Sequence, residues 1–403
     1  RLAGELLGPL GLEPLQAGGG GEAEADAPTR YEDGGAIGVQ MIRGDMSATG
    51  LGTVTRVEGD RLVAFGHPMM ESGVTALPTA VGRVLWFLAS QNRSFKIGMP
   101  VRSVGALVND RQASIVVSHA ARAPVIPVTL SLTGVPGAPH TEWKFEVAHE
   151  KFMTPSFVSV ALGSAVQAAA ADRQDVTWVA RSRLAIRGHG EITLEDQGLS
   201  IGGTPDPREF VESSLVRAIG AVLNNPWESA LVERVHVDLE FRYARDVLRL
   251  RGATLLDPQV YAGGTARVRL AFESFAGPPT TKVVDVPIPR HLAGQTVTLT
   301  LQPGYSVTKE RPAAERLSDL IANLADPVYP PKSLVVSYPA SPGVSFRGKV
   351  ADNLPAGALD SIRPETASVA PETHRSEVRH VFALPSFLNG QDRVSLAVKP
   401  VLR

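Results

Sequence analysis

The sequence predicts a mainly β fold with some α, and three observations predict it. Short runs rich in Val, Ile and Thr, broken by Gly, Asn and Asp, recur from Ile37 to about Leu130. Strict apolar/polar alternation returns at Val235–Tyr243, Ala266–Phe272 and Val297–Leu301, as expected of strands with one buried and one solvated face. Only Pro155–Ala171, Pro207–Asn224 and Pro312–Ala325 read as helices.

The elements follow in order. Residues 1–30 pass from a Leu-rich piece through Gly18–Gly21 into an acidic Ala/Glu/Asp stretch, the composition of a flexible linker. Residues 31–230 form the first predicted domain. Within it Val54–Val57 and Leu62–Phe65 flank Glu58-Gly59-Asp60, a turn of hairpin length, so Gly66-His67-Pro68 falls at the end of a strand. Thr75–Ser90 stays unassigned, because Leu85-Trp86-Phe87-Leu88 is too short an apolar run to show a period. In Pro207–Asn224, Val211, Leu215, Ala218, Ile219 and Val222 share a helix face. Asp206 is the expected cap, Pro207 the first helical residue, and Glu209 the capping-box partner. A small β-sandwich is expected over 231–304 and a mixed α/β tail region over 305–403.

A chain of 403 residues is long enough for two or three cores. Hydrophobic residues at 43% and charged residues at 20% fit a globular protein and argue against disorder. Forty basic against forty-one acidic side chains, with no Lys/Arg stripe, speak against nucleic acid as a partner. The absence of Cys excludes a thiol nucleophile and Cys-ligated zinc. No apolar run reaches the roughly 18–20 residues of a membrane-spanning helix. The first residue is Arg1 and no leader pattern follows, so the sequence reads as a fragment or processed product.

The densest set of special residues is Gly38-Val39-Gln40, Gly44-Asp45, Gly50-Leu51-Gly52-Thr53-Val54-Thr55 and Phe65-Gly66-His67-Pro68, followed by Ser94–Gly98 and Val104–Arg111. This ordered series resembles the SpoIVB peptidase family over about residues 36–130. The resemblance implies a chymotrypsin-like β-barrel serine endopeptidase region preceding the sandwich, an extracytoplasmic location, a protein or peptide substrate, and His67 as general base. The chemistry is sound by itself: an imidazole with a pKa near about 6.5 can take a serine proton at neutral pH and return it to a leaving amine. The alternative is a tight turn whose histidine is solvated or bonded to backbone.

The family's serine stands in a Gly-x-Ser-Gly-Ser-Pro segment, and residues 1–403 contain none. Either that segment precedes these residues or the homologue is catalytically incomplete, a non-enzymatic envelope or binding protein. A literal Gly-x-Ser-x-Gly does occur at Gly198–Gly202, which makes Ser200 a candidate nucleophile. It lacks the abrupt strand-to-helix turn of a nucleophile elbow, so an ordinary edge serine is the competing reading. Asp110 could orient the histidine or be a turn aspartate, and Asp45 is a weaker rival.

No cofactor is expected. The glycines at 18–21 precede acidic residues rather than a phosphate-binding helix, and His149-Glu150 lacks the second histidine of a zinc-peptidase helix. Gly188-His189-Gly190 reads as a bulge or turn.

Overall fold

A computed structural model describes residues 26–89, 91, 94–169, 175–202, 207–257, 259–275, 277–309, 311, 313–326, 329–346, 349–351, 358 and 372–401. Most of the linker expected for residues 1–30 lies outside the described residues, as does Asp206. The protein is mainly β and divides into two units, Arg1–Ala244 and Arg245–Arg403.

In the first unit, β1 (Ala36–Gly44), β2 (Ala48–Glu58), β3 (Arg61–Ala64), β4 (Gly73–Leu88), β5 (Phe95–Arg111) and β6 (Ser114–Ser118) hydrogen-bond in the order β1-β2-β3-β6-β5-β4. β4 pairs back onto β1, antiparallel from Ala36↔Gly82 to Val39↔Thr79, and so closes a six-stranded barrel. Ile37, Val39, Val54, Leu62, Leu77, Leu107, Ile115 and Val117 are all buried in this part of the unit. Thr75–Ser90, unassigned by pattern, is mostly strand β4.

The same sheet continues from the far end of β1. Ile42–Gly44 pair with β8 (Glu142–Ala148), which leads to β7 (Val125–Thr133), β11 (Val232–Arg242), β9 (Val176–Ile186) and β10 (Gly190–Ser200). β11 runs parallel to β7 and antiparallel to β9. Two helices pack on each other in this part: α1 (Thr154–Ala169), which also touches β8, and α2 (Ser214–Leu223), which touches β10. α2 starts later than its sequence suggests. Pro207–Phe210 is a single 3-10 turn, and the cap is Ser213, whose hydroxyl accepts from the Val216 amide. Glu209 is therefore not a capping-box residue. Asp196 on β10 accepts from the Ser214 amide at 2.8 Å, and burial pushes its carboxyl above the usual range.

The second unit holds two sheets. One is β15-β14-β12-β20, made of β12 (Val247–Leu255), β14 (Thr265–Ser274), β15 (Thr280–Pro287) and β20 (Phe387–Asn389). The other is β13-β21-β16-β17-β18, with β19 also on β17. It comprises β13 (Gln259–Tyr261), β16 (Thr296–Pro303), β17 (Ser333–Phe346), β18 (Lys349–Ala351), β19 (Glu372–Ala383) and β21 (Asp392–Lys399). Val268, Leu270, Phe272 and Val286 of the first sheet share one core with Leu299, Leu301, Val336, Tyr338 and Leu396 of the second, the arrangement of a sandwich.

The domain limits expected from sequence are thereby corrected. β11 belongs to the first unit, because its backbone pairs with β7 and β9, and the sandwich draws β17–β21 from the region taken for a separate tail. The helix expected at Pro312–Ala325 is the shorter α3 (Leu317–Ala325).

Candidate functional site

The site grows out of the β2–β3 hairpin. Gly59, at φ +59°, and Asp60 make its turn, and Asp60 accepts from the Ser118 hydroxyl at 2.7 Å and the Ala120 amide at 3.1 Å. β3 lasts only four residues. Phe65 and Gly66 then both take φ +74°, which swings the chain out of the barrel wall. A bulky residue in the left-handed region costs about 1–3 kcal/mol and persists only where surrounding contacts enforce it.

Those contacts are present. The Phe65 amide donates to the Thr53 carbonyl at 2.9 Å, and the Phe65 ring fills the space beside Gly52, where an added Cβ would lie 2.0 Å from the ring. Met69 does the same at Gly50, its methyl 2.9 Å from where a Cβ would stand. The two glycines of Gly50-Leu51-Gly52 are thus sockets for the residues on either side of His67.

Asp110 on β5 completes the loop. It is 1% exposed and accepts from the Met69 amide at 2.8 Å, the Met70 amide at 2.7 Å, the Ser72 amide at 3.3 Å and the Ser72 hydroxyl at 3.1 Å. A buried carboxylate is tolerable because these donors replace its water.

His67 sits exposed on this loop, its ring centroid 5.6 Å from that of Phe65. Its Nδ1 lies 2.7 Å from the Pro68 carbonyl oxygen. A carbonyl only accepts, so this bond requires the proton on Nδ1 and leaves Nε2 as the basic nitrogen. The contact ties the exposed imidazole to the backbone of its own loop.

The structure does not bring the other sequence candidates to His67. Asp110 uses its oxygens on the loop backbone and Ser72, and the contact of the His67 Nδ1 is with the Pro68 carbonyl. Asp45 accepts from the Lys144 amide at 2.7 Å and ties the end of β1 to β8. Ser200 ends β10, with six strands between it and β3 along the sheet, and its hydroxyl donates to Glu209 at 3.1 Å. Glu209 also accepts from the Trp178 indole at 2.9 Å, and a Cβ on Gly198 would meet that indole at 2.5 Å. Gly198 and Ser200 thus serve the packing and hydrogen bonding around Trp178, while the Gly202 amide donates to Asp175.

Among the described residues no group of His, Cys, Asp and Glu has a metal-binding arrangement. His189 stands in the β9–β10 turn, with Gly188 and Gly190 both at positive φ, and lies 3.3 Å from Glu228. Burial lowers the pKa of His149, and Glu150 caps the turn before α1 by accepting from the Phe152 and Met153 amides. A groove of about 630 Å³ opens where β1 leaves the barrel; Gln40, Arg43, Asp45, Lys144 and Glu146 line it, and His67 does not.

Sequence reasoning placed Gly50, Gly52 and Phe65 in the motif series without giving them a role, and passed over Met69 and Ser72. The available signal was the density of Gly in Gly50-Leu51-Gly52 beside an Ala-Phe-Gly-His-Pro run. No protein-family model matches the chain, and no curated protein or solved structure matches it significantly.

Proposed function

We propose that the first unit is the base-bearing part of a serine endopeptidase of the SpoIVB type, acting on a protein substrate outside the cytoplasm with His67 as general base. The observation that carries this reading is the Nδ1–Pro68 hydrogen bond on an exposed, strained loop, since it leaves Nε2 basic and accessible. A closed antiparallel barrel with a histidine on a connecting loop is also the frame that the chymotrypsin-like reading requires.

In this mechanism a serine hydroxyl attacks the scissile carbonyl while His67 Nε2 takes its proton. The resulting imidazolium then protonates the leaving amine, and water repeats the cycle to release the acyl group. The serine would come from a Gly-x-Ser-Gly-Ser-Pro segment outside residues 1–403. A second reading, a non-catalytic binding module, is favoured by one observation: among the described residues no serine or threonine hydroxyl is hydrogen-bonded to His67, and Asp110 serves the loop.

The test is made in a protein that carries the serine segment. His67→Ala should leave the melting temperature nearly unchanged, because the side chain is exposed, and lower turnover by about three to four powers of ten. Residues 1–403 alone should take no fluorophosphonate label. Equal turnover without the imidazole would remove the peptidase reading and leave the binding module.

A further inference from the structure

Beyond Gly82, β4 leaves β1 and among the described residues pairs only with β5, with Val84↔Gly98, Trp86↔Ile97, Phe87↔Lys96 and Leu88↔Phe95 in register. Six residues at roughly 3.3 Å each make this ribbon about 20 Å long. Its outer part carries Leu85, Trp86, Phe87 and Leu88, which are 52%, 69%, 66% and 49% exposed. In a pleated strand Trp86 and Leu88 face one way and Phe87 the other, so both faces of the ribbon present apolar side chains.

Charge is sorted here as well. The whole chain balances forty basic against forty-one acidic residues, yet no Asp or Glu occurs between Glu71 and Asp110. The ribbon carries Arg83 and Lys96, both half-buried, and Lys96 donates to Thr53 Oγ1. Water is a poor medium for four consecutive apolar side chains. A flat protein partner would cover one face and leave the other wet. Apolar groups on both faces, Trp and Phe among them, and basic residues without acidic ones match the interfacial zone of a negatively charged bilayer.

We infer that the β4–β5 ribbon inserts Trp86, Phe87 and Leu88 into the headgroup region of an anionic lipid surface and holds the first unit there peripherally. The inference is independent of the peptidase reading. It concerns residues other than His67 and needs no catalysis for its test.

The test uses the 403-residue chain with phosphatidylcholine vesicles, alone or with about a third phosphatidylglycerol. Co-sedimentation should be at least about tenfold stronger with the anionic vesicles and should weaken as salt rises. Trp86→Ser combined with Phe87→Ser should abolish it. Brominated lipid should quench tryptophan emission both in the unmodified chain and in a Trp227→Phe variant, which removes the other exposed tryptophan (40% exposed); Trp143 and Trp178 are buried and should not respond. Equal affinity for neutral and anionic vesicles, absence of quenching, or binding that survives the double substitution would overturn the inference. So would a lipid-free dimer that the double substitution dissociates, since the ribbon would then be covered by a second copy of the chain.

Discussion

The Phe65 ring occupies the volume that any side chain at Gly52 would need: a Cβ there would lie 2.0 Å from ring atom Cε1. Gly52→Ala should therefore destabilise the first unit by about 1–3 kcal/mol, read as a lower denaturation midpoint. In a Phe65→Ala background the same substitution should cost less than about 1 kcal/mol, because the clash is gone. Equal costs in both backgrounds would mean that the interlock does not hold the loop.

Asp110 gives a contrasting expectation. Asp110→Ala leaves three amides and the Ser72 hydroxyl without their acceptor, so unfolding free energy should fall by about 3–5 kcal/mol. Asp110→Asn keeps one acceptor oxygen and should lose about half as much. In an active protein, activity should fall in step with the folded fraction. A large drop in turnover at unchanged melting temperature would instead restore Asp110 as the partner of His67.

Ser200→Ala should change stability by only about 0.5–1.5 kcal/mol, the worth of one hydrogen bond, and alter no hydrolytic rate. Gly198→Ala should be the costlier change of the two, because its Cβ meets the Trp178 indole at 2.5 Å. Thermal melts of the two variants make the comparison directly.

A fragment of residues 245–403 should fold alone, with a cooperative transition and a β circular-dichroism spectrum. A fragment of residues 231–304 should not, because among the described residues β16 pairs only with β17 and β21, both beyond Pro303. That shorter piece also lacks Val336, Tyr338 and Leu396 from the core. A sharp melt of the shorter fragment would contradict the sandwich as described.

Much of this was legible in the sequence. The β2–β3 turn, the placing of His67 just past a strand, and the alternating strands β11, β14 and β16 follow from local periodicity and turn chemistry. β4 was not legible at Leu85–Leu88, because alternation marks a strand with one wet face and these residues are exposed on both. The start of α2 was misread because Pro207 and Glu209 look like capping residues, whereas Glu209 is drawn to Trp178 and Ser200. The period of β11 says that one face is buried but not which sheet buries it. The work of Asp110 was hidden for a similar reason: its partners lie about forty positions upstream, beyond the reach of any local pattern.

β1 belongs to two structures at once. Ala36–Val39 close the barrel against β2 and β4, and beyond the bulge at Gln40–Ile42 the same strand starts the outer sheet on β8. Gly44, at φ +114°, allows the Lys144 carbonyl to approach where a side chain would collide. Neither part can open without fraying a strand that the other needs. The amide protons of Ile37–Arg43 should therefore reach solvent only when the first unit unfolds as a whole, so their exchange with deuterium measures the stability of the entire unit and not of either sheet.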